Sequence, residues 1–152
     1  MGYYLQALIG KADSLINEPQ SFLSEHRVDL AQGFAMILVT DERCEEVADT
    51  FPPDENALPG GFSMLTDSLV AWAKQISKLT PLAYVEAEYF GGTGGQSSIV
   101  WDKAETKLGP ISGEIGPINQ ALRLLGAKVL SACDEFEAVG LNRKRHMEDW
   151  IE

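Results

Sequence analysis

Glu86 and Glu88 stand two residues apart in the run Tyr84–Trp101, just ahead of the cluster Gly91-Gly92-Thr93-Gly94-Gly95. Two carboxylates on one face of a strand can act as general acid and base, or hold a divalent cation. A glycine cluster beside them invites comparison with a phosphate cradle. Such a cradle needs backbone N–H groups at a helix N-terminus, usually with a following Lys and Ser/Thr. Gln96 follows here, and then a second β-prone run, so the cluster reads as a hairpin loop whose glycines permit positive φ. The candidate binding residues are therefore Tyr84, Glu86, Glu88, Gly92, Thr93, Gly94 and Gln96. If the loop closes symmetrically around Gly91–Gly95, Glu88 falls opposite Ser98 and Glu86 opposite Val100.

No catalytic set surrounds the two acids. Neither His26 nor His146 is close in sequence, and no third carboxylate occurs at ligand spacing. His146 and Asp149 could share a helical face, but two ligands do not make a metal site. Cys44 and Cys133 lack a Cys-x-x-Cys spacing, and Cys44 reads as a small core residue. No nucleophile-elbow or zinc-protease motif is present. No metal and no cofactor are expected. The plainest role for Glu86 and Glu88 is as solvated acids on the polar side of a half-covered sheet, and the next is as part of a protein-binding face.

The elements that must position these residues follow from periodicity. Alternation of period two makes Leu82–Phe90 and Ser97–Lys103 strands that share a hairpin. Tyr3–Ile9 reads as a protected strand, and the unbroken apolar run Phe34–Val39 as a strand covered on both faces. Asp41–Thr50 reads as a helix with Cys44, Val47, Ala48 and Phe51 on one side, stopped by Pro52-Pro53. Ser63–Leu79 carries the stripe Leu65, Leu69, Trp72, Ile76 and Leu79, with Ser63 as its cap. Leu108–Gly116 reads as a Gly/Pro-rich connection into the helix Pro117–Gly126, with Pro at its first position and Gly126 ending it. Arg143–Ile151 closes the chain as a helix anchored by Met147 and Trp150.

Composition limits the choice of function. The 152 residues suit one domain with its own core, and 45% hydrophobic against 23% charged residues is ordinary for a globular protein. Twelve basic against 23 acidic residues leave a net charge of −11. That field repels phosphate backbones and anionic membranes, and it steers a basic protein inward. The start Met-Gly-Tyr-Tyr-Leu-Gln is neither a signal peptide nor a myristoylation signal, and no apolar run is of spanning length. The expectation is a cytoplasmic protein that binds neither nucleic acid nor membrane.

The blocks YVEAEYFGG (Tyr84–Gly92), NQALRLLG (Asn119–Gly126), DEFEAVGL (Asp134–Leu141) and EDW (Glu148–Trp150) resemble blocks of small uncharacterised bacterial proteins, some of them similar to immunity proteins. Immunity proteins neutralise toxins by binding them. The resemblance covers mainly the C-terminal half and carries over no functional residue. It implies a bacterial origin, a small α+β domain and a protein-binding role. The sequence as a whole predicts one α+β domain, an antiparallel or mixed sheet of about four strands with helices largely on one face. Its expected function is that of an acidic, non-enzymatic binding protein, an immunity-type inhibitor of a basic toxin. The rival is a small enzyme or ligand-binding domain using Glu86, Glu88 and the Gly91–Gly95 loop.

Overall fold

The computed structural model describes residues 2–15, 27–50, 62, 65–90, 93–129 and 134–151. Its strands are β1 (Tyr3–Lys11), β2 (Arg27–Asp29), β3 (Phe34–Leu38), β4 (Leu82–Phe90), β5 (Thr93–Asp102) and β6 (Glu105–Gly113). Its helices are α1 (Ala12–Leu15), α2 (Asp41–Thr50), α3 (Asp67–Ile76), α4 (Pro117–Leu125), α5 (Glu135–Ala138) and α6 (Met147–Ile151). The strands make one open sheet in the order β2-β3-β1-β4-β5-β6, with every neighbouring pair antiparallel.

The α+β class and the antiparallel pairing agree with the sequence reading, but the sheet has six strands rather than about four. β2 is only three residues long and carries no clear period. β6 occupies most of the segment expected to be a connection, because Gly109 and Pro110 read as breakers. As the outermost strand, β6 has one row of backbone groups without a neighbouring strand. A proline is tolerated there, where a central strand would lose a ladder bond.

A second correction concerns the layers, since the helices do not gather on one face. On one side Leu5, Ala7 and Ile9 of β1 pack beneath Ile118, Ala121 and Leu122 of α4. On the other, Leu8 of β1 and Ile37 of β3 pack beneath Val47 of α2 and Leu69 and Trp72 of α3. The cause lies in the central strands. All five residues of β3 are buried, so both of its faces are apolar. Each large aliphatic side chain left in water would forgo roughly 1.5–3 kcal/mol, and both faces therefore acquire a helical cover.

Local signals explain most helix ends. Thr66, not Ser63, caps α3: its hydroxyl accepts from the Leu69 N–H at 3.1 Å, while Ser63 lies outside the described residues. Leu79, expected on the buried stripe, follows the helix and is 48% exposed. In α2 Val47 is buried and Cys44 half-buried, but Ala48 faces solvent, and Phe51 lies outside the described residues. α4 begins at Pro117 and ends on Gly126 at φ 106°, a left-handed conformation suited to glycine. The last helix is shorter than expected, because Leu141–Arg143 form a 3₁₀ turn and α6 starts at Met147. Among the described residues no helix is long and apolar enough to cross a membrane.

Candidate functional site

Glu86 and Glu88 do share a face of β4, yet the sheet treats them in opposite ways. Gln6 of β1, Glu86 of β4, Ser97 of β5 and Ser112 of β6 are successive register partners, forming a polar row across four strands. Glu86 is 5% exposed, so the expectation of a solvated acid fails for it. The reason is the helical layer on that face: Tyr84, two residues earlier, is fully buried with its ring edge-on to Phe62, 5.4 Å between centroids. The Tyr84 hydroxyl donates to Glu86 Oε2 at 2.6 Å and accepts from Gln6 Nε2 at 2.9 Å. A buried carboxyl is tolerated only with such partners, since burial without them costs several kcal/mol. Burial, and then the Glu86 carboxylate beside it, raise the Tyr84 hydroxyl well above the ordinary phenol range. Ser97 Oγ lies 2.8 Å from Ser112 Oγ, which continues the row toward the sheet edge.

The hairpin register also differs from expectation. Glu88 is opposite Gly95 rather than Ser98, Glu86 is opposite Ser97 rather than Val100, and Phe90 pairs with Thr93. Thr93, Gly94 and Gly95 therefore belong to β5 and not to a five-residue loop, while Gly91 and Gly92 lie outside the described residues. Thr93 Oγ1 donates to the Phe90 carbonyl at 3.0 Å and helps close this end of the ladder.

Beyond the buried row the sheet opens into a groove of about 510 Å³. Glu88, Thr93 and Gly94 line it, so three of the predicted residues come together. Gly95 and Gly94 stand opposite Glu88 and Tyr89 in the ladder. The other lining residues were not among the predicted binding residues: Gly2 ahead of β1, Tyr3 and Tyr4 of β1, Tyr89 and Phe90 of β4, and His146 before α6. Antiparallel pairing sets Tyr3 opposite Tyr89 and Tyr4 opposite Glu88, and the Tyr4 N–H donates to the Arg145 carbonyl at 2.8 Å. Phe90 is 80% exposed at the rim.

Gln96 lies on the other face, in a cleft of about 290 Å³ with Tyr3, Tyr89, Ile115, Asn119 and Phe136. Both ends of its amide are engaged. Nε2 donates to the Tyr89 hydroxyl at 2.9 Å, and Oε1 accepts from the Ile118 N–H at 2.7 Å. The Tyr89 hydroxyl donates onward to the Glu114 carbonyl, so Gln96 fastens the hairpin to the start of α4. Asn119 donates to Asp134 Oδ2 at 3.2 Å and accepts from the Phe136 N–H at 2.8 Å, which ties α4 to α5. Arg123 reinforces that contact through Nε to Glu135 Oε2 at 2.9 Å, and this hydrogen bond holds the Glu135 carboxyl below the usual carboxylate range. These polar groups hold elements together rather than face a ligand. Among the described residues no cluster of three or more His, Cys, Asp or Glu could hold a metal ion.

Gly94 gives a direct check on this geometry. It has φ 150°, and a Cβ there would lie 2.1 Å from the Glu88 carbonyl oxygen and 2.6 Å from the Tyr89 Cα. Gly94→Ala is expected to cost ~1–3 kcal/mol in urea unfolding and to shift the backbone resonances of Glu88 and Tyr89. At Gly95 a Cβ would meet only the Gly113 carbonyl oxygen, at 3.1 Å, so Gly95→Ala should cost less. Equal and small losses at both positions would contradict this register. Comparisons with protein-family models, curated proteins and solved structures gave no match.

Proposed function

We propose that this chain is a non-enzymatic binding protein whose partner is a basic protein, in the manner of an immunity-type inhibitor of a toxin. The observation that carries this reading is the separation of the two glutamates. Glu86 is closed against Tyr84 inside the sheet, whereas Glu88 alone reaches the groove. An acid–base pair would need both carboxyls within reach of one substrate, and the groove takes in Glu88 but neither Tyr84 nor Glu86. An exposed acid beside an aromatic rim matches the make-up of protein interfaces, where buried aromatics anchor and charges guide the encounter. The net charge of −11 adds a long-range attraction for a cationic partner.

The test is association kinetics by stopped flow, with a basic protein recovered on the tagged chain, over a range of salt concentrations. The association rate should fall as salt rises, since the screening length is only ~8 Å at physiological ionic strength. Glu88→Gln should slow association several-fold and leave dissociation little changed, as expected of an exposed charge. Glu86→Gln should act on stability instead. An association rate indifferent to salt would sink the steering model. Turnover of a small substrate, lost in Glu88→Gln, would favour the enzyme reading.

A further inference from the structure

We infer that the groove at the end of the sheet receives an arginine side chain of the partner, its guanidinium held between Glu88 and the rings of Tyr4 and Phe90. This deepens the binding reading above and rests on it. Tyr4, the register partner of Glu88, and Phe90, two residues on, share its face of the sheet and line the groove, whereas Tyr3 and Tyr89 turn their hydroxyls to the Leu141 and Glu114 carbonyls; no Lys or Arg is in the lining. Aromatic faces attract cations through their quadrupole, and a carboxylate accepts two parallel N–H bonds from a guanidinium. A volume of about 510 Å³ is ample for a side chain with a three-carbon stem. That stem gains from apolar walls while the charged head meets the acid.

Arginine fits better than lysine on chemical grounds. Its planar, weakly hydrated head stacks on rings and leaves water more readily than a compact ammonium. The chain already holds one such contact elsewhere, with the Arg143 guanidinium 5.5 Å from the Trp150 ring centroid. Arg143 also donates to the Asp29 carbonyl at 3.0 Å and to the Gly140 carbonyl at 3.1 Å, so it is committed away from the groove. Glu88 shows no comparable cation of the chain itself among the described salt bridges. The negative field of the whole chain favours a cationic occupant here.

The full chain, labelled with ¹⁵N, would be titrated with N-acetyl-arginine amide, its neutral isostere N-acetyl-citrulline amide, and N-acetyl-lysine amide. Saturable shifts at the backbone amides of Tyr4, Glu88, Phe90 and His146 are expected with the arginine compound, and none with citrulline. Glu88→Gln should weaken the arginine compound about tenfold, and Phe90→Ala about threefold. Both positions are exposed, and an unchanged circular dichroism spectrum checks that the variants fold. Shifts that do not saturate, that lie outside the groove, or that are equal for citrulline or lysine would overturn the assignment. A salt-dependent protein complex without arginine shifts in the groove would refute this inference and leave the binding reading standing. Arginine shifts without any salt-dependent protein complex would count against the binding reading instead.

Discussion

Replacing Tyr84 by alanine is expected to remove about 3–5 kcal/mol of stability, the range for deleting a large aromatic side chain from a packed core. The whole stability of a domain this size is of order 5–15 kcal/mol, so the variant should be close to unfolding at ambient temperature. Two losses combine. The fully buried ring leaves a cavity beside Phe62, and the Glu86 carboxyl loses the hydroxyl that donates to it. Tyr84→Phe separates the two, because it keeps the ring and removes only the hydroxyl. It should cost ~1–3 kcal/mol, the penalty for leaving a buried polar group without its partner. Urea unfolding of both variants measures the difference. An alanine variant no less stable than the phenylalanine variant would show that the ring is not enclosed.

Alkaline pH should unfold the protein through the same hydroxyl. Burial raises Tyr84 far above its ordinary value of 10.0, with the Glu86 carboxylate adding to the effect. Tyr3 is raised too, first by burial and then by its neighbour Tyr89, and its hydroxyl donates to the Leu141 carbonyl at 3.0 Å. In the unfolded chain both ionise near pH 10, so their contribution is complete below that pH and is lost as pH rises toward the folded-state values. Part of the tyrosinate absorbance should therefore appear only together with the loss of circular dichroism. The stability gap between wild type and Tyr84→Phe should narrow from about pH 9 to about pH 12. A tyrosinate signal that develops fully while the fold persists would contradict this. The acid limb has the opposite sign. Glu135, held low by Arg123, contributes above its ordinary 4.5, and that contribution is lost as pH falls.

How far the sequence reached depended on whether a feature was local. The strand Leu82–Phe90, the shared face of Glu86 and Glu88, and the Pro117–Gly126 helix all follow from spacing within a few residues, and the structure has them. The hairpin register was not legible, because glycines are read as loop. Here Gly94 and Gly95 serve as strand residues opposite large side chains. β6 escaped notice for a similar reason, since only its position at the sheet edge makes Gly109 and Pro110 acceptable. The burial of Glu86 depends on a helical layer from another part of the chain. The unbroken apolar run Phe34–Val39 was the available signal that both faces need cover. The groove lay furthest from local reasoning, because its walls come from residues 2–4, 88–90, 93–94 and 146. Pairing the two terminal tyrosines of Tyr3–Ile9 with the far end of Leu82–Phe90 would have found most of it.

The polar row from Gln6 through Glu86 and Ser97 to Ser112 also decides which pairings the sheet refuses. The two faces of β4 are both largely apolar, so hydrophobicity alone distinguishes poorly between alignments one residue apart. A one-residue slip would turn Glu86, and Tyr84 with it, onto the face packed by α4, away from Gln6 and Ser97 on the neighbouring strands. A carboxyl set among the aliphatic side chains beneath α4, without the rest of its polar row, counts against the misaligned sheet. The buried acid thus acts as a locating pin for the four strands it crosses, and the alignment it secures keeps Glu88 aimed at the groove.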